Sequence, residues 1–163
     1  MIRKATIADL DQVEQCFVDR LAHEQAHTAY TSWKLGVYPT RATAEQALSD
    51  GRLYVMEQNG DLCAGMIASP NQPDKFLSIP WKYPAQPEEV FVLHLLCVRP
   101  TWARRGVGQA LVQFLIEEAR QLHRQVIRLD TGLKNLPAQA LYLKNGFEFV
   151  ACRSSYLYFE RKI

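Results

Sequence analysis

A chain of 163 residues, 48% hydrophobic and 22% charged, is long enough to bury a proper core and has the composition of an ordinary soluble globular protein. The reading is one domain, residues 1–163, and the net charge of +2 argues against a nucleic-acid partner. No run approaches the roughly eighteen apolar residues of a membrane span.

The opening "MIRKATIADLDQ" has no apolar segment behind its charges, so it does not read as a secretory signal. Residues 2–5 form a short strand, and Thr6 followed by Asp9 resembles a capping box that opens a helix. Leu10, Val13, Phe17 and Leu21 fall on one face of that helix, which runs to about His23. Residues 24–41 carry aromatics without clear periodicity, and a short helix over 42–48 ends near Gly51. "RLYVMEQNGDLCAGMIA" reads as two strands joined by Asn59-Gly60, a strong hairpin signal. Residues 70–88 hold five of the eight prolines and read as a long excursion between strands.

"VFVLHLLCV" (90–98) is apolar on both alternations, as a strand covered on both sheet faces should be. From Val107 the spacing of Ala110, Leu111, Phe114, Leu115, Ala119 and Leu122 predicts a helix. "QVIRLDT" (125–131) is a further strand, 136–145 a helix stopped by Gly146, and "FEFVACR" and "SYLYFERK" two closing strands. The order βααβββαβαββ predicts an α/β fold with a mixed sheet and helices on both faces. Cys16, Cys63, Cys97 and Cys152 lie far apart without a C-x-x-C pair, and three of them sit in apolar segments as small hydrophobes. That pattern predicts a reduced, cytoplasmic protein without a metal site.

The stretch "CVRPTWARRGVGQAL" (97–111) puts Arg104, Arg105, Gly106 and Gly108 where a strand hands over to a helix. Glycines let a phosphate approach the backbone, and N–H groups at a helix N-terminus, here Gly106 to Gln109, favour an anion. A dinucleotide fingerprint needs a third glycine where Leu111 stands, and a P-loop needs G-K-[ST], which is absent. A plain glycine turn with solvated arginines fits this stretch taken alone.

Downstream, "NLPAQALYLKNGFE" follows a strand, and the two segments together closely resemble the GNAT superfamily of N-acetyltransferases. The family's N-x-x-A-x-x-x-Y-x-x-x-G-F pattern is met by Asn135, Ala138, Tyr142, Gly146 and Phe147. Its pyrophosphate loop, Q/R-x-x-G-x-G/A, departs once: Ala103 stands where Gln or Arg is usual, with Arg104 and Arg105 adjacent. The resemblance implies a six- to seven-stranded mixed sheet, splayed between two parallel strands, and acetyl-CoA as donor. It implies that the backbone of Leu96, Cys97 and Val98 holds the pantetheine arm. Arg104, Arg105, Gly106, Val107, Gly108 and Gln109 would take the pyrophosphate, with Asn135, Ala138 and Tyr142 on the cofactor's other side.

Acetyl transfer to an amine needs a neutral amine, a stabilised oxyanion and a proton for the departing thiolate. The resemblance implies Tyr142 as the proton donor and a backbone N–H near Cys97 or Val98 for the oxyanion. His94 shares a strand face with Val92 and Leu96, and it resembles the histidine that arylalkylamine acetyltransferases of the same superfamily carry at the matching place, which implies a role in removing the amine's proton. A satisfied structural histidine is the competing reading, and Glu88 and Glu89 are competing bases. The segments varied within the family, around Trp33 and Tyr38, Trp81 and Tyr83, and Tyr156 and Tyr158, would line the acceptor site or pack over sheet edges. The resulting expectation is acetylation of a small-molecule or amino-acid-like amine, with a protein or tRNA-linked amine, or a non-catalytic CoA-binding module, as alternatives. Many relatives dimerise through their C-terminal strands, so a homodimer is a further implication.

Overall fold

Asn59 and Gly60 take positive φ (54° and 83°), the left-handed pair that a two-residue hairpin turn requires. They join β2 (Leu53–Gln58) to β3 (Asp61–Ser69) in antiparallel register. The structure, a computed structural model, describes residues 1–163. Its remaining elements are β1 (Ile2–Lys4), α1 (Leu10–Ala26), α2 (Arg41–Ser49), β4 (Val90–Val98), α3 (Val107–Gln121), β5 (Val126–Gly132), α4 (Leu136–Lys144), β6 (Glu148–Arg153) and β7 (Tyr156–Lys162). The strands form one open, mixed sheet of seven in the order β1-β2-β3-β4-β5-β7-β6, with helices around it. β4 and β5 pair in parallel, whereas β1–β2, β2–β3, β5–β7 and β6–β7 pair antiparallel.

The expected element order is observed throughout, with ends displaced by at most three residues. The largest difference is α1, which continues to Ala26 because Glu24 is buried and accepts the Thr31 hydroxyl at 2.7 Å. Residues 70–88 are less of a loop than their prolines suggest: short 3-10 turns over Asp74–Ser78 and Pro87–Glu89 punctuate them.

The chain divides into two compact units, residues 1–67 with 95–111 and residues 68–94 with 112–163. In the first, Val13, Cys16 and Phe17 recur at helical spacing and bury against Val55, Leu62 and Cys97. Removing each such side chain from water contributes about 1.5–3 kcal/mol. Arg3 closes this unit's edge, donating to both oxygens of Asp9 at 2.8 and 2.9 Å and to Glu57 at 3.1 Å.

In the second unit the proline-rich excursion supplies part of the core, Phe76 and Ile79 packing with Val90, Val92 and Tyr158. A buried ion pair ties the excursion down. Glu160, with no exposed surface, accepts the N–H groups of Lys82 and Tyr83, and its other oxygen lies 3.6 Å from Arg128 Nε. Arg128 donates to Gln72 Oε1 and to the Tyr83 carbonyl, each at 2.9 Å, and lies 4.6 Å from the Trp81 ring centroid. Burial pushes the Arg128 guanidinium below its ordinary value and the Glu160 carboxyl above its own.

Candidate active site

β4 and β5 stay in register from Val90↔Val126 to Leu93↔Leu129, and there the ladder stops although both strands continue. Beyond that point burial alternates along β4: His94, Leu96 and Val98 are half-buried, whereas Leu95 and Cys97 are buried. His94 and Leu96 thus fall on one alternation of the strand, whereas Val92, expected beside them, is buried. Arg20 holds the end of the strand, donating to the Val98 carbonyl from Nε at 2.9 Å and Nη2 at 2.6 Å.

Cys97 and Cys16 place their sulfurs 3.8 Å apart. The Cys16 contact and burial push the Cys97 thiol well above its ordinary value. Cys16 moves the other way, its contact with Cys97 outweighing burial.

The glycine turn that follows belongs to the first unit. Pro100–Trp102 makes a 3-10 turn, Ala103 is extended, and Arg104 and Gly106 adopt φ of 60° and 79°. Gly106 has a conformational reason to be glycine, and a Cβ built on it meets nothing within 4 Å. The space beside its backbone is therefore open, as a phosphate cradle needs. α3's own ladder begins where Ala110 N–H donates to the Gly106 carbonyl at 2.9 Å, so the Val107 and Gly108 amides precede it. Val107 is buried, Gly108 and Gln109 half-buried, and Arg104 and Arg105 exposed. The Arg105 guanidinium lies 5.2 Å from the Trp102 ring centroid, which fixes one of the two cations. These residues fit a diphosphate.

In the second unit, Asn135 is the N-cap of α4, its side-chain oxygen accepting the Ala138 N–H at 3.3 Å. That gives Asn135 and Ala138 a local reason for their spacing. Tyr142, one turn on, is buried, its ring 5.7 Å from Phe147 and 6.3 Å from Phe159. Burial and, after it, the charge of Asp130 hold its phenol well above the ordinary tyrosine value. His94 Nε2 lies 2.8 Å from Ser69 Oγ, which also accepts the Asn71 N–H at 3.2 Å. Glu88 is exposed, and Glu89 accepts the Gln86 N–H at 2.7 Å, as a turn-opening contact.

Of the aromatics expected around an acceptor, Trp33 and Tyr38 meet edge to face at 6.3 Å. Trp33 borders a cavity of about 400 Å3, lined also by Leu21, Glu24, Leu35 and Val37. Trp81 and Tyr83 are committed to structure: the indole donates to the Phe76 carbonyl at 2.9 Å, and the Tyr83 hydroxyl donates to Glu148. Sequence reasoning passed over Ser69, Arg20, Lys75 and Asp130. Asp130 was legible as the one acid in "QVIRLDT", at the point where the parallel pairing ends. No helix is long and apolar enough to cross a membrane.

The fold is shared with solved acetyltransferases. A GNAT-family structure from Streptococcus agalactiae superposes with a TM-score of 0.87 at 20% identity, covering 100% of this chain and 95% of that one. An N-acetyltransferase of Thermoplasma acidophilum, solved in complex with coenzyme A, gives a TM-score of 0.71 at 16% identity, covering 100% and 98%. In sequence, 34% identity over 68 residues links the chain to an uncharacterised N-acetyltransferase of Methanocaldococcus jannaschii. That match spans 42% of this chain but 30% of the archaeal protein. Residues 18–147 match the Acetyltransferase (GNAT) family, and the chain belongs to it.

Proposed function

We propose that the protein transfers an acetyl group from acetyl-CoA to the primary amine of a small-molecule or amino-acid-like acceptor, by direct attack of the amine on the thioester. In this reading the backbone of Leu96, Cys97 and Val98 carries the pantetheine, and the amides and arginines of residues 104–109 carry the pyrophosphate. The neutral amine attacks the carbonyl carbon, and a backbone N–H near Cys97 or Val98 stabilises the oxyanion. Tyr142 protonates the departing thiolate, and His94, steadied by Ser69, accepts the proton the amine gives up. The burial of both Cys97 and Cys16 favours direct attack over an acetyl-cysteine intermediate, because a buried thiol does not reach the thioester.

One observation carries the proposal: at the family's acid position α4 holds a tyrosine, buried and set by its packing against Phe147 and Phe159. With an ordinary value of about 10, a phenol carries its proton at neutral pH and has one to give to the thiolate. An acceptor screen with acetyl-CoA, reading thiol release, tests the reading. Amine-dependent release by the wild type, lost in Tyr142→Phe, is expected. A Tyr142→Phe enzyme with full turnover removes the acid role, and no release with any amine removes the reaction.

A further inference from the structure

Lys75 presents, from the protein's own chain, the functional group that the proposed reaction consumes. Its ammonium lies 2.5 Å from Asp130 Oδ2 and 4.8 Å from the centroid of the Tyr156 ring. A carboxylate at one side and an aromatic face at the other is a general way to hold an organic ammonium.

The two ends of this pair are unequal. The Asp130 side chain is 13% exposed and that of Lys75 48%. Asp130 is fixed in β5, directly after Leu129, the last residue paired with β4. Its charge also reaches Tyr142 and Tyr158. Lys75 instead rides on the short turn Asp74–Ser78, anchored by the buried Phe76 while its own side chain reaches outward. The acid belongs to the framework, and the cation is the movable partner.

We propose that Asp130 and the Tyr156 ring form the subsite for the acceptor's ammonium group, and that Lys75 occupies this subsite until the acceptor displaces it. This rests on the acetyl-transfer reading above and assigns its acceptor a class: a primary amine that arrives as a cation and becomes the neutral nucleophile on giving its proton to His94. An internal occupant spares the half-buried carboxylate an uncompensated charge when no acceptor is present. It also lowers apparent acceptor affinity by the fraction of time the subsite is filled. Because only the lysine end of the pair is exposed, an arriving ammonium can exchange for it without leaving the carboxylate unpaired.

The test compares wild type, Lys75→Met, Lys75→Arg and Asp130→Asn with butylamine and its uncharged isostere butanol. Lys75→Met is expected to lower the butylamine KM roughly two- to fivefold, the size of a weak ion pair removed. Lys75→Arg keeps the cation and so keeps KM near the wild-type value, whereas Asp130→Asn raises it roughly tenfold or more. A second readout needs no turnover: the Tyr156 ring signals in an NMR titration with butylammonium chloride, without acetyl-CoA. They are expected to respond at lower concentration in Lys75→Met, to fail to saturate in Asp130→Asn, and to ignore butanol. Thiol release with an unchanged KM in both Lys75→Met and Asp130→Asn overturns the subsite while leaving acetyl transfer standing. An NMR response ordered as predicted, with no thiol release from any amine, supports the subsite and overturns the reaction. Equal NMR response to butanol and butylammonium also overturns the subsite.

Discussion

Ser69 Oγ lies 2.8 Å from Nε2 of His94 and accepts the Asn71 N–H at 3.2 Å. The hydroxyl is thereby oriented from its own backbone neighbourhood, and it holds one nitrogen of the imidazole in place. In the proposed reaction, a base so steadied loses precision before it loses basicity. Ser69→Ala is expected to lower kcat/KM by roughly tenfold with the fold intact, and His94→Ala to abolish the acidic limb of the pH–rate profile. Steady-state kinetics between pH 5 and 9 checks both. An unchanged profile in His94→Ala excludes the histidine as base.

Tyr142 answers two separate measurements. Tyr142→Phe keeps a ring of nearly the same shape against Phe147 and Phe159, so stability at neutral pH is expected to change little. Loss of the proposed proton donor is expected to lower kcat by about 10²–10⁴. The pH dependence of folding follows from burial and the Asp130 charge, which raise the phenol above its ordinary value. Folding then favours the protonated form, a contribution complete below the unfolded tyrosine value of about 10 and lost as pH rises above it. Urea midpoints measured from pH 8 to 11 should fall more steeply for the wild type than for Tyr142→Phe.

Local signals carried much of this structure. The Asn59-Gly60 turn, the nine apolar residues of β4 and the helical spacing of α3 each follow from contacts between near neighbours in the chain. The prolines of residues 70–88 pointed to a loop because proline speaks only of its own backbone. What makes the segment part of a core is Phe76 meeting Tyr158 at 5.6 Å, a pairing of residues more than eighty positions apart, roughly the span from excursion to last strand. The candidate site divides the same way. Tyr142 and the glycine turn were visible as motifs. The partnerships of Ser69 with His94 and of Lys75 with Asp130 join residues far apart in sequence and carry no local mark. Asn135 shows a third case: its motif spacing was legible, yet its cap on Ala138 gives it a structural duty the motif does not state.

The Arg128–Glu160 pair sets the stability of the second unit's excursion. Glu160→Leu strips the Lys82 and Tyr83 amides of their acceptor and leaves the Arg128 guanidinium buried without its counter-charge. The expected cost is about 3–5 kcal/mol, read as a shift in the urea midpoint. Glu160→Gln retains an acceptor oxygen and should cost less. Combining it with Arg128→Met removes both charges, so the double variant is expected to be more stable than the sum of the single losses by about 1–3 kcal/mol. Strict additivity would show that the two charges do not interact.

Asp9 predicts how the first unit responds to acid. Its contact with Arg3 outweighs its burial, and with the Thr6 N–H and hydroxyl at 2.7 and 3.0 Å it holds the carboxyl down at about 2, against an ordinary 3.8. The folded state therefore favours the carboxylate. That stability is fully present above the unfolded value and disappears as pH falls from about 4 toward 2. Its size is about 2 kcal/mol at most, reduced by solvent around the Arg3 guanidinium, whose side chain is 32% exposed. Asp9→Asn should be less stable than wild type at pH 7, with the gap closing as acid protonates the wild-type carboxyl. Denaturation midpoints taken at pH 7, 4 and 3 measure it. A gap that stays constant across that range would assign the loss to the Thr6 contacts, which an amide reproduces poorly at every pH, and not to the charge.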